Sequence, residues 1–123
     1  MKKKVKRAAS IRNVIEVPWQ EFPGHFGGAL SKALVGPGSG ARLIDYRISC
    51  YQPMAHVALH THKVQEQIYH VLDGEGMMEI DGKRRVVRKH DVICIPPGVE
   101  HGISNTGLTD LTFIVATTPA EDK

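Results

Sequence analysis

The chain has 123 residues, a length that fits one compact domain of ordinary size. Hydrophobic residues make up 41% and charged residues 24% of the sequence, which excludes a disordered chain, and no apolar run is long enough to cross a bilayer. The formal net charge is +3, but six of the 16 basic residues lie within residues 1–12, where there is no acidic residue. The rest of the chain carries ten basic against 13 acidic residues, so we expect no nucleic-acid partner.

Residues 1–12 are predicted to form a basic, poorly ordered N-terminal tail, and residues 13–118 to form the single folded domain. An electrostatic arm for an anionic partner is the alternative role of the tail. No apolar stretch follows the lysines, as a secretory signal would require, so we expect a cytoplasmic protein without membrane association. Cys50 and Cys94 lie in apolar segments without metal-ligand spacing, and we expect them to be reduced core residues rather than a disulfide.

Short β-strands separated by glycine and proline dominate the predicted secondary structure. Residues 14–17 are predicted to be a short edge strand that ends at Pro18, and residues 22–28 a loop. Strands follow at 29–35 and 41–51, and in the second of these the even-numbered residues form the more apolar face, which we assign to the core. Further strands are predicted at 57–62, 67–72, 76–81, 84–87, 92–95 and 111–116.

Sharp turns connect most of these strands. Asp73-Gly74 and Asp81-Gly82 lie between apolar runs, which is the strongest short sequence signal of a β-hairpin, and Pro96-Pro97-Gly98 marks another tight turn. So many strands in a short chain need closure, or two stacked sheets, to protect their edges. We therefore predict an all-β protein built as an antiparallel jelly-roll β-barrel.

Three histidines and one glutamine stand in a pattern that suits a metal site. His60 and His62 are two residues apart on a predicted strand, so their imidazoles share one face, about 6.5 Å apart at the backbone. Gln67 opens the next strand, and His101 follows the Pro-Pro-Gly turn. Imidazole nitrogen suits Fe, Mn, Ni, Cu and Zn, whereas an all-oxygen set favours Mg or Ca. Taken alone, H-x-H is a weak signal, and a bystander role for the histidines is the alternative.

Two stretches of the chain resemble the two motifs of the cupin superfamily, G-x5-H-x-H-x(3,4)-E-x6-G and G-x5-P-x-G-x2-H-x3-N. The chain matches the H-x-H element, the spacing from residue 67 to Gly74 and the whole of P-x-G-x2-H-x3-N, within about residues 40–117. Met54 and His90 stand where the motifs have glycine, so the sequence does not settle the conformation of these two turns. The resemblance implies a small single-domain cupin with a double-stranded β-helix fold. It also implies one divalent transition-metal ion (Fe, Mn, Ni, Zn or Cu) on His60, His62, Gln67 and His101.

Gln67 occupies the place of the family's glutamate ligand. A neutral amide leaves one more unit of positive charge on the site, so we expect weaker ion binding and stronger Lewis acidity. Glu66 is the alternative ligand under the shorter spacing, although strand alternation points it away when Gln67 points inward. Tyr69 shares the inward face, and Tyr69 and Glu66 are the candidate catalytic residues, with core packing as the alternative for Tyr69. His70 has the opposite parity and is expected outside the barrel.

The resemblance implies a metal-dependent enzyme of the dioxygenase, isomerase or lyase type, acting on a small organic acid or sugar-derived substrate. A non-catalytic binding or sensor module for a small metabolite is the alternative, because one fold hosts many functions. The resemblance also implies a homodimer that pairs through edge strands such as residues 14–17.

Overall fold

The computed structural model describes residues 8–123, and within them short antiparallel strands account for nearly all regular structure. The strands are β1 (His25–Phe26), β2 (Ala29–Val35), β3 (Asp45–Tyr51), β4 (His56–Val57), β5 (Glu66–Asp73), β6 (Glu75–Ile80), β7 (Lys83–Arg88), β8 (Val92–Ile95), β9 (His101–Ser104) and β10 (Leu111–Thr118). Short 3-10 helices occupy Val14–Glu16 and Pro37–Ser39. None of the helices in residues 8–123 has the length and apolarity needed to cross a membrane.

The strands form two five-stranded sheets that face each other. Sheet I has the order β1-β4-β9-β6-β7, and sheet II has the order β2-β3-β10-β5-β8. Every paired neighbour is antiparallel, and the chain crosses between the sheets repeatedly, so that strands distant in sequence lie side by side. The predicted all-β, antiparallel jelly-roll architecture is confirmed.

The core lies between the sheets toward one end of the barrel. Its most buried large side chains are Tyr51, Val71, Met78, Ile103, Leu111 and Phe113. The Asn105 amide closes this end by donating hydrogen bonds to the backbone carbonyls of Tyr51, at 2.7 Å, and Thr109, at 2.8 Å. At the other end the inward row of sheet II runs through Asp45, Thr117 and Gln67, which are paired across β3, β10 and β5. A polar inward row at one end leaves room there for a cavity.

The structure reverses the predicted core face of β3. Ser49 and Tyr51 are buried, and Asp45 and Arg47 line the internal cavity, whereas Tyr46 is exposed. The odd-numbered residues therefore point inward, and the assignment of the even-numbered face to the core was wrong. The reason is that the inner wall at this place contacts a polar cavity rather than packed apolar side chains, so the more polar face of the strand is the inner one.

The segment after the tail is not an edge strand. Val14–Glu16 forms a 3-10 turn because the Asn13 side chain accepts a hydrogen bond from the Ile15 N–H at 3.0 Å. In return the Glu16 carboxylate accepts one from the Asn13 N–H at 3.1 Å. This reciprocal capping box satisfies the backbone locally and competes with strand pairing. Of the predicted basic tail, residues 1–7 lie outside the described residues, and the Arg12 guanidinium donates to the backbone carbonyl of Leu34.

One of the two predicted hairpins is present and the other is not. Asp81 and Gly82 adopt φ of 48° and 79° between β6 and β7, which pair directly, so the Asp81-Gly82 hairpin is confirmed. Asp73-Gly74 instead carries the chain from β5 in sheet II to β6 in sheet I. Gly74 has φ of 87°, and a Cβ there would lie 2.4 Å from a backbone carbonyl oxygen. Its turn is therefore a tight crossing between sheets.

Burial and strand bounds correct three smaller expectations. Cys94 is exposed and Cys50 is only partly buried, so neither is the core residue that we predicted, although both thiols are free. The predicted strand at 57–62 reduces to β4 and one isolated bridge between His60 and His101. The predicted strand at 41–51 begins only at Asp45.

Candidate metal centre

His60, His62 and His101 converge at the open end of the barrel. One nitrogen from each ring lies within 4.8 Å of the others. The ring centroids are 4.3 Å apart for His60 and His101, 5.0 Å for His60 and His62, and 5.6 Å for His62 and His101. His60 and His101 also exchange two backbone hydrogen bonds of 3.0 Å, which join the two distant segments of the chain. The histidines that the sequence groups together therefore surround one point.

Backbone hydrogen bonds orient two of the three rings. The Nδ1 atom of His60 lies 2.7 Å from the carbonyl oxygen of Ala58, and that of His101 lies 2.9 Å from the carbonyl oxygen of Val99. An Nδ1–H that donates to a carbonyl leaves the Nε2 lone pair free on the other side of the ring. The Nε2 atom of His62 is buried and has no hydrogen-bond partner within residues 8–123. Buried lone pairs without donors are the environment in which a divalent transition-metal ion fits.

The Gln67 amide lies beside the three imidazoles. Its side chain is 9% exposed, and its Oε1 lies 2.8 Å from His101 Nε2. Its Nε2 donates a hydrogen bond to the Thr117 hydroxyl at 3.0 Å, which turns the amide oxygen toward the histidines. With the His101 proton on Nδ1, the lone pairs of His101 Nε2 and Gln67 Oε1 face each other across 2.8 Å. A cation between them satisfies both, and three imidazoles with one amide oxygen suit Fe, Mn, Ni, Cu or Zn.

Burial favours the neutral form of His62 and His101. Desolvation lowers the pKa of His101 to about 4; its hydrogen bond to the Val99 carbonyl opposes this, and the neighbouring His60 and His62 add to it. Desolvation, and then His60, also lowers the pKa of His62, and Asp122 and Gln67 offset part of that shift. Neutral imidazole is the form that coordinates metal, so these two rings are ready to bind at neutral pH.

A cavity of about 320 Å³ extends from the histidines into the barrel. Its remaining wall includes Ser31, Asp45, Arg47, Ser49, Tyr51, Gln65, Tyr69, Phe113, Val115 and Thr117. Arg47 donates to Asp45 from Nε at 2.8 Å and from Nη2 at 3.2 Å, and its guanidinium lies 4.3 Å from the centroid of the Phe22 ring. Among the described residues that line the cavity, Arg47 is the only Arg or Lys and Asp45 the only carboxylate, so their charges cancel. The cavity is polar but carries no net charge from this pair.

Two tyrosines face the cavity as hydrogen-bond donors. Burial raises the pKa of Tyr69, and burial together with the neighbouring Tyr69 raises that of Tyr51. Neither hydroxyl forms a hydrogen bond with another group of residues 8–123, and the Tyr69 ring lies 5.9 Å from that of His101. Both phenols therefore remain protonated at neutral pH and can donate to a ligand.

Glu66 does not join the site. It is exposed and does not line the cavity, as strand alternation indicates, so the structure does not bring this candidate catalytic residue together with the histidines. His70 is exposed outside the barrel, as its parity predicts. Met54 and His90 adopt φ of 74° and 79°, so both turns keep the left-handed conformation that glycine favours.

The side-chain carboxylate of Asp122, near the end of the chain, binds the loop that follows His62. Asp122 accepts hydrogen bonds from the N–H groups of Lys63, Val64 and Gln65 at 2.9, 2.8 and 3.2 Å, and its Oδ2 lies 3.9 Å from His62 Nδ1. The bonds from Val64 and Lys63 hold the pKa of Asp122 below its usual range. This contact closes the loop between His62 and β5. No local sequence signal indicates it, because the partners are almost sixty residues apart.

Most of the cavity wall was not predicted from the sequence. Asp45, Arg47, Ser49 and Tyr51 lie on the β3 face that we assigned to the outside, and Ser31 forms a 2.7 Å hydrogen bond with Ser49. The signal was present as a regular alternation of polar side chains along β3. That alternation shows that β3 has two different faces, but it does not indicate which of them points into the barrel.

Comparison with known proteins agrees with this geometry. The sequence profile described as Cupin domain matches residues 47–117, so the chain belongs to the cupin family. It is similar to an oxalate-binding protein of Thermotoga maritima, with 40% identity over 62 residues, 50% of this chain and 51% of the relative. It is also similar to an uncharacterized protein of Methanocaldococcus jannaschii, with 39% identity over 61 residues, 50% of this chain and 49% of the relative. The chain spans about half the length of the curated relatives it matches.

Solved structures confirm the fold. The crystal structure of a predicted oxalate decarboxylase from Thermotoga maritima is similar to this chain with a TM-score of 0.80 and 25% sequence identity. The similarity covers 89% of this chain and 99% of that chain. The expected small cupin domain is therefore confirmed.

Proposed function

We propose that this cupin binds one divalent transition-metal ion on His60, His62, His101 and Gln67, and a small organic acid beside it. The observation that carries the proposal is the convergence of three imidazole nitrogens within 4.8 Å at the wall of a cavity. All four proposed ligands are neutral, so they do not compensate the two positive charges of a bound ion, and the Asp122 carboxylate, 3.9 Å from His62 Nδ1, offsets them only in part. An anionic ligand compensates them. The similarity to an oxalate-binding protein over half of the chain supports an acid as that ligand.

In its first form the proposed function is catalytic, and the protein is a dioxygenase, isomerase or lyase. A bound ion would supply Lewis acidity or an oxygen-binding centre. The chain itself supplies a cavity of about 320 Å³, which admits a small molecule and excludes a large one. The Tyr51 and Tyr69 hydroxyls donate hydrogen bonds to the ligand, and the paired Asp45 and Arg47 orient its polar groups. Tyr69, close to His101, is the residue that we propose as the proton donor.

A non-catalytic binding module is the second form, and one observation favours it. The only carboxylate among the described lining residues, Asp45, is held by Arg47, and both tyrosines remain protonated. The cavity wall thus lacks a free carboxylate to act as general base. In either form we place the protein in the cytoplasm, where its two free cysteines stay reduced.

Metal binding is tested by elemental analysis of the protein after purification without chelator. We expect about one equivalent of Mn, Fe, Ni, Cu or Zn by elemental analysis, and loss of that metal in His60→Ala and His101→Ala. His70→Ala is the matched control, because His70 is exposed outside the barrel and the metal content should not change. Equal metal content in His101→Ala and in the wild type would contradict the assigned ligands.

Acid binding is tested separately by calorimetry with oxalate. The Mn-loaded protein should bind oxalate, and the metal-stripped protein should bind it at least about tenfold more weakly, because the uncompensated charge is then absent. Product detected by NMR favours the enzyme, and binding without product favours the module. Oxalate binding of equal strength with and without metal would disprove the role that we give to the ion.

A further inference from the structure

The ion pair of Asp45 and Arg47 in the cavity wall has hydrogen-bonding capacity that the chain does not use. A carboxylate accepts about four hydrogen bonds, and a guanidinium has about five N–H groups to donate. Among residues 8–123, the two side chains bond only to each other, from Nε at 2.8 Å and from Nη2 at 3.2 Å. Both line the cavity. The wall therefore presents free acceptors and free donors side by side.

The fold does not need this ion pair. Asp45 and Arg47 are two residues apart on one strand, so the pair joins no separate parts of the chain, and β3 already pairs with β2 on one side and β10 on the other. What the pair does is to fix the guanidinium, because Asp45 holds one edge of it and the Phe22 ring lies 4.3 Å from its carbon. A guanidinium held in this way is preorganised to donate from its remaining edge to a ligand.

The charges of the pair determine which chemical group it suits. An arginine without a partner favours a carboxylate or a phosphate. Here the adjacent Asp45 carboxylate offsets the charge of Arg47 and repels an anion. An uncharged group that both donates and accepts hydrogen bonds is not repelled. Two neighbouring hydroxyls meet this requirement, since one can donate to Asp45 while the other accepts from Arg47.

The rest of the wall also suits a hydroxylated ligand. The lining residues that carry hydroxyls are Ser31, Ser49, Tyr51, Tyr69 and Thr117. The Thr117 hydroxyl accepts a hydrogen bond from the Gln67 amide, so its own proton remains free to donate. Thr117 lies opposite Gln67 on one side and Asp45 on the other. A ligand that extends from the histidines to the pair therefore passes over further hydroxyls.

The strand register sets the length of such a ligand. Because β10 lies between β3 and β5, the backbones that carry Asp45 and Gln67 are two strand spacings apart, about 10 Å. Oxalate is too short to reach from one to the other, since a single C–C bond of about 1.5 Å joins its two carboxyl groups. A chain of five or six carbons extends about 5–6 Å, and contacts of about 2–3 Å at each end complete the distance.

We infer that Asp45 and Arg47 form a diol-binding subsite, and that the ligand is a polyhydroxy acid of five or six carbons. Its carboxylate lies at the histidine end of the cavity, and two neighbouring hydroxyls near its other end bind Asp45 and Arg47. The inference rests on the proposed function, which supplies the acid-binding end. The cavity of about 320 Å³ is within the size range of sites for small molecules. Asp45 and Arg47 are then the residues that determine specificity.

The test compares three six-carbon acids by calorimetry with the Mn-loaded protein. Gluconate has a hydroxyl on every carbon beyond its carboxylate, α-hydroxyhexanoate keeps only the hydroxyl next to the carboxylate, and adipate has a second carboxylate at its far end. The wild type should bind gluconate at least about tenfold more tightly than α-hydroxyhexanoate, because only gluconate brings hydroxyls to the pair. It should bind adipate no more tightly than α-hydroxyhexanoate, because Asp45 repels the second carboxylate.

Two variants change this preference in a way that a structural role does not explain. Asp45→Asn should weaken gluconate binding about tenfold and tighten adipate binding about tenfold, because the Arg47 charge is then no longer offset. Arg47→Met should weaken gluconate binding about tenfold without tightening adipate binding. Arg42→Met is the matched control, because Arg42 is exposed and does not line the cavity, and all three affinities should stay within about twofold of the wild type.

Circular dichroism and elemental analysis check the fold and the metal content of each variant. Opposite changes in gluconate and adipate binding by Asp45→Asn support the inference. Equal affinities of the wild type for gluconate and α-hydroxyhexanoate overturn it without any variant, and so does a parallel loss of gluconate and adipate binding in Asp45→Asn. If oxalate still binds in either case, the proposed function stands and only the subsite is wrong. A wild type that binds neither oxalate nor any of the three acids disproves both.

Discussion

Replacement of Gln67 by glutamate tests the electrostatics of the proposed site directly. The Oε1 atom of Gln67 lies 2.8 Å from His101 Nε2, so an ion held by His101 would be within reach of residue 67 as well. The substitution Gln67→Glu adds one negative charge at that point and hardly changes the shape of the side chain. It supplies the acidic ligand that the family motif has at this position.

The expected magnitude follows from Coulomb's law. A unit negative charge about 2.1 Å from a doubly charged ion gains roughly 16 kcal/mol at an effective dielectric constant of about 20. Dehydration of the carboxylate removes several kcal/mol, and the loss of the amide ligand removes more of this gain. These costs offset most but not all of the attraction, and we expect Gln67→Glu to bind Zn²⁺ or Ni²⁺ at least about 100-fold more tightly than the wild type, a difference of about 3 kcal/mol.

The measurement is a competition titration against a fluorescent chelator at pH 7. Gln65→Glu is the matched control, because Gln65 lines the same cavity but donates its amide hydrogen bond to the Pro119 carbonyl at 3.1 Å. The same change of charge should tighten binding at least about tenfold less there, since it acts only through longer-range attraction. Equal affinities of Gln67→Glu and wild type, or equal tightening by the two glutamates, would refute the placement of residue 67 in the coordination shell.

Three further predictions concern stability and positioning. Because the folded pKa of His101 is about 4 and its unfolded value about 6.5, the unfolded chain binds the extra proton, so lowering the pH from 7 to 4.5 should destabilise the metal-free protein. In urea denaturation the free energy of unfolding should fall by up to about 2 kcal/mol, and by less in His101→Asn. Gly74→Ala should lower the free energy of unfolding by about 3 kcal/mol or more, and the control Gly82→Ala by about 1 kcal/mol, as measured by thermal unfolding. Both glycines have positive φ, but of the two only Gly74 lacks room for a Cβ. Thr117→Val removes the acceptor that orients Gln67 and should weaken Zn²⁺ binding about tenfold in the same chelator competition, with no loss of thermal stability beyond about 1 kcal/mol.

The metal-site residues could be proposed from sequence because their pattern is local. The two-residue spacing of His60 and His62 puts both rings on one side of an extended segment, and the alternation of β5 separates the inward Gln67 and Tyr69 from the exposed Glu66. His101 could be added only through the resemblance to a family motif. Its meeting with His60 depends on a bridge between segments about forty residues apart, which periodicity does not reveal.

The errors have a common physical origin. Alternation along β3 shows that the strand has two different faces, but it does not say whether the inside of the barrel is filled with apolar side chains or with a polar cavity. Here the cavity takes Asp45 and Arg47, and the apolar side chains lie outside. The 3-10 turn at Val14–Glu16 could have been predicted, since Asn13 followed by Glu16 is the signature of a capping box. The contact of Asp122 with residues 63–65 could not.

The hydrogen bonds between the His60 and His101 rings and backbone carbonyls indicate that the site is formed before an ion binds. Each of these imidazoles is held by a carbonyl only two residues earlier in the chain, and the surrounding strands are stabilised by their own core. Chelation should therefore strip the ion from an intact barrel, unlike in zinc fingers, which unfold without their metal. A single preparation could then be emptied and reloaded with different ions, so the cell's supply of each metal would decide which one the protein carries.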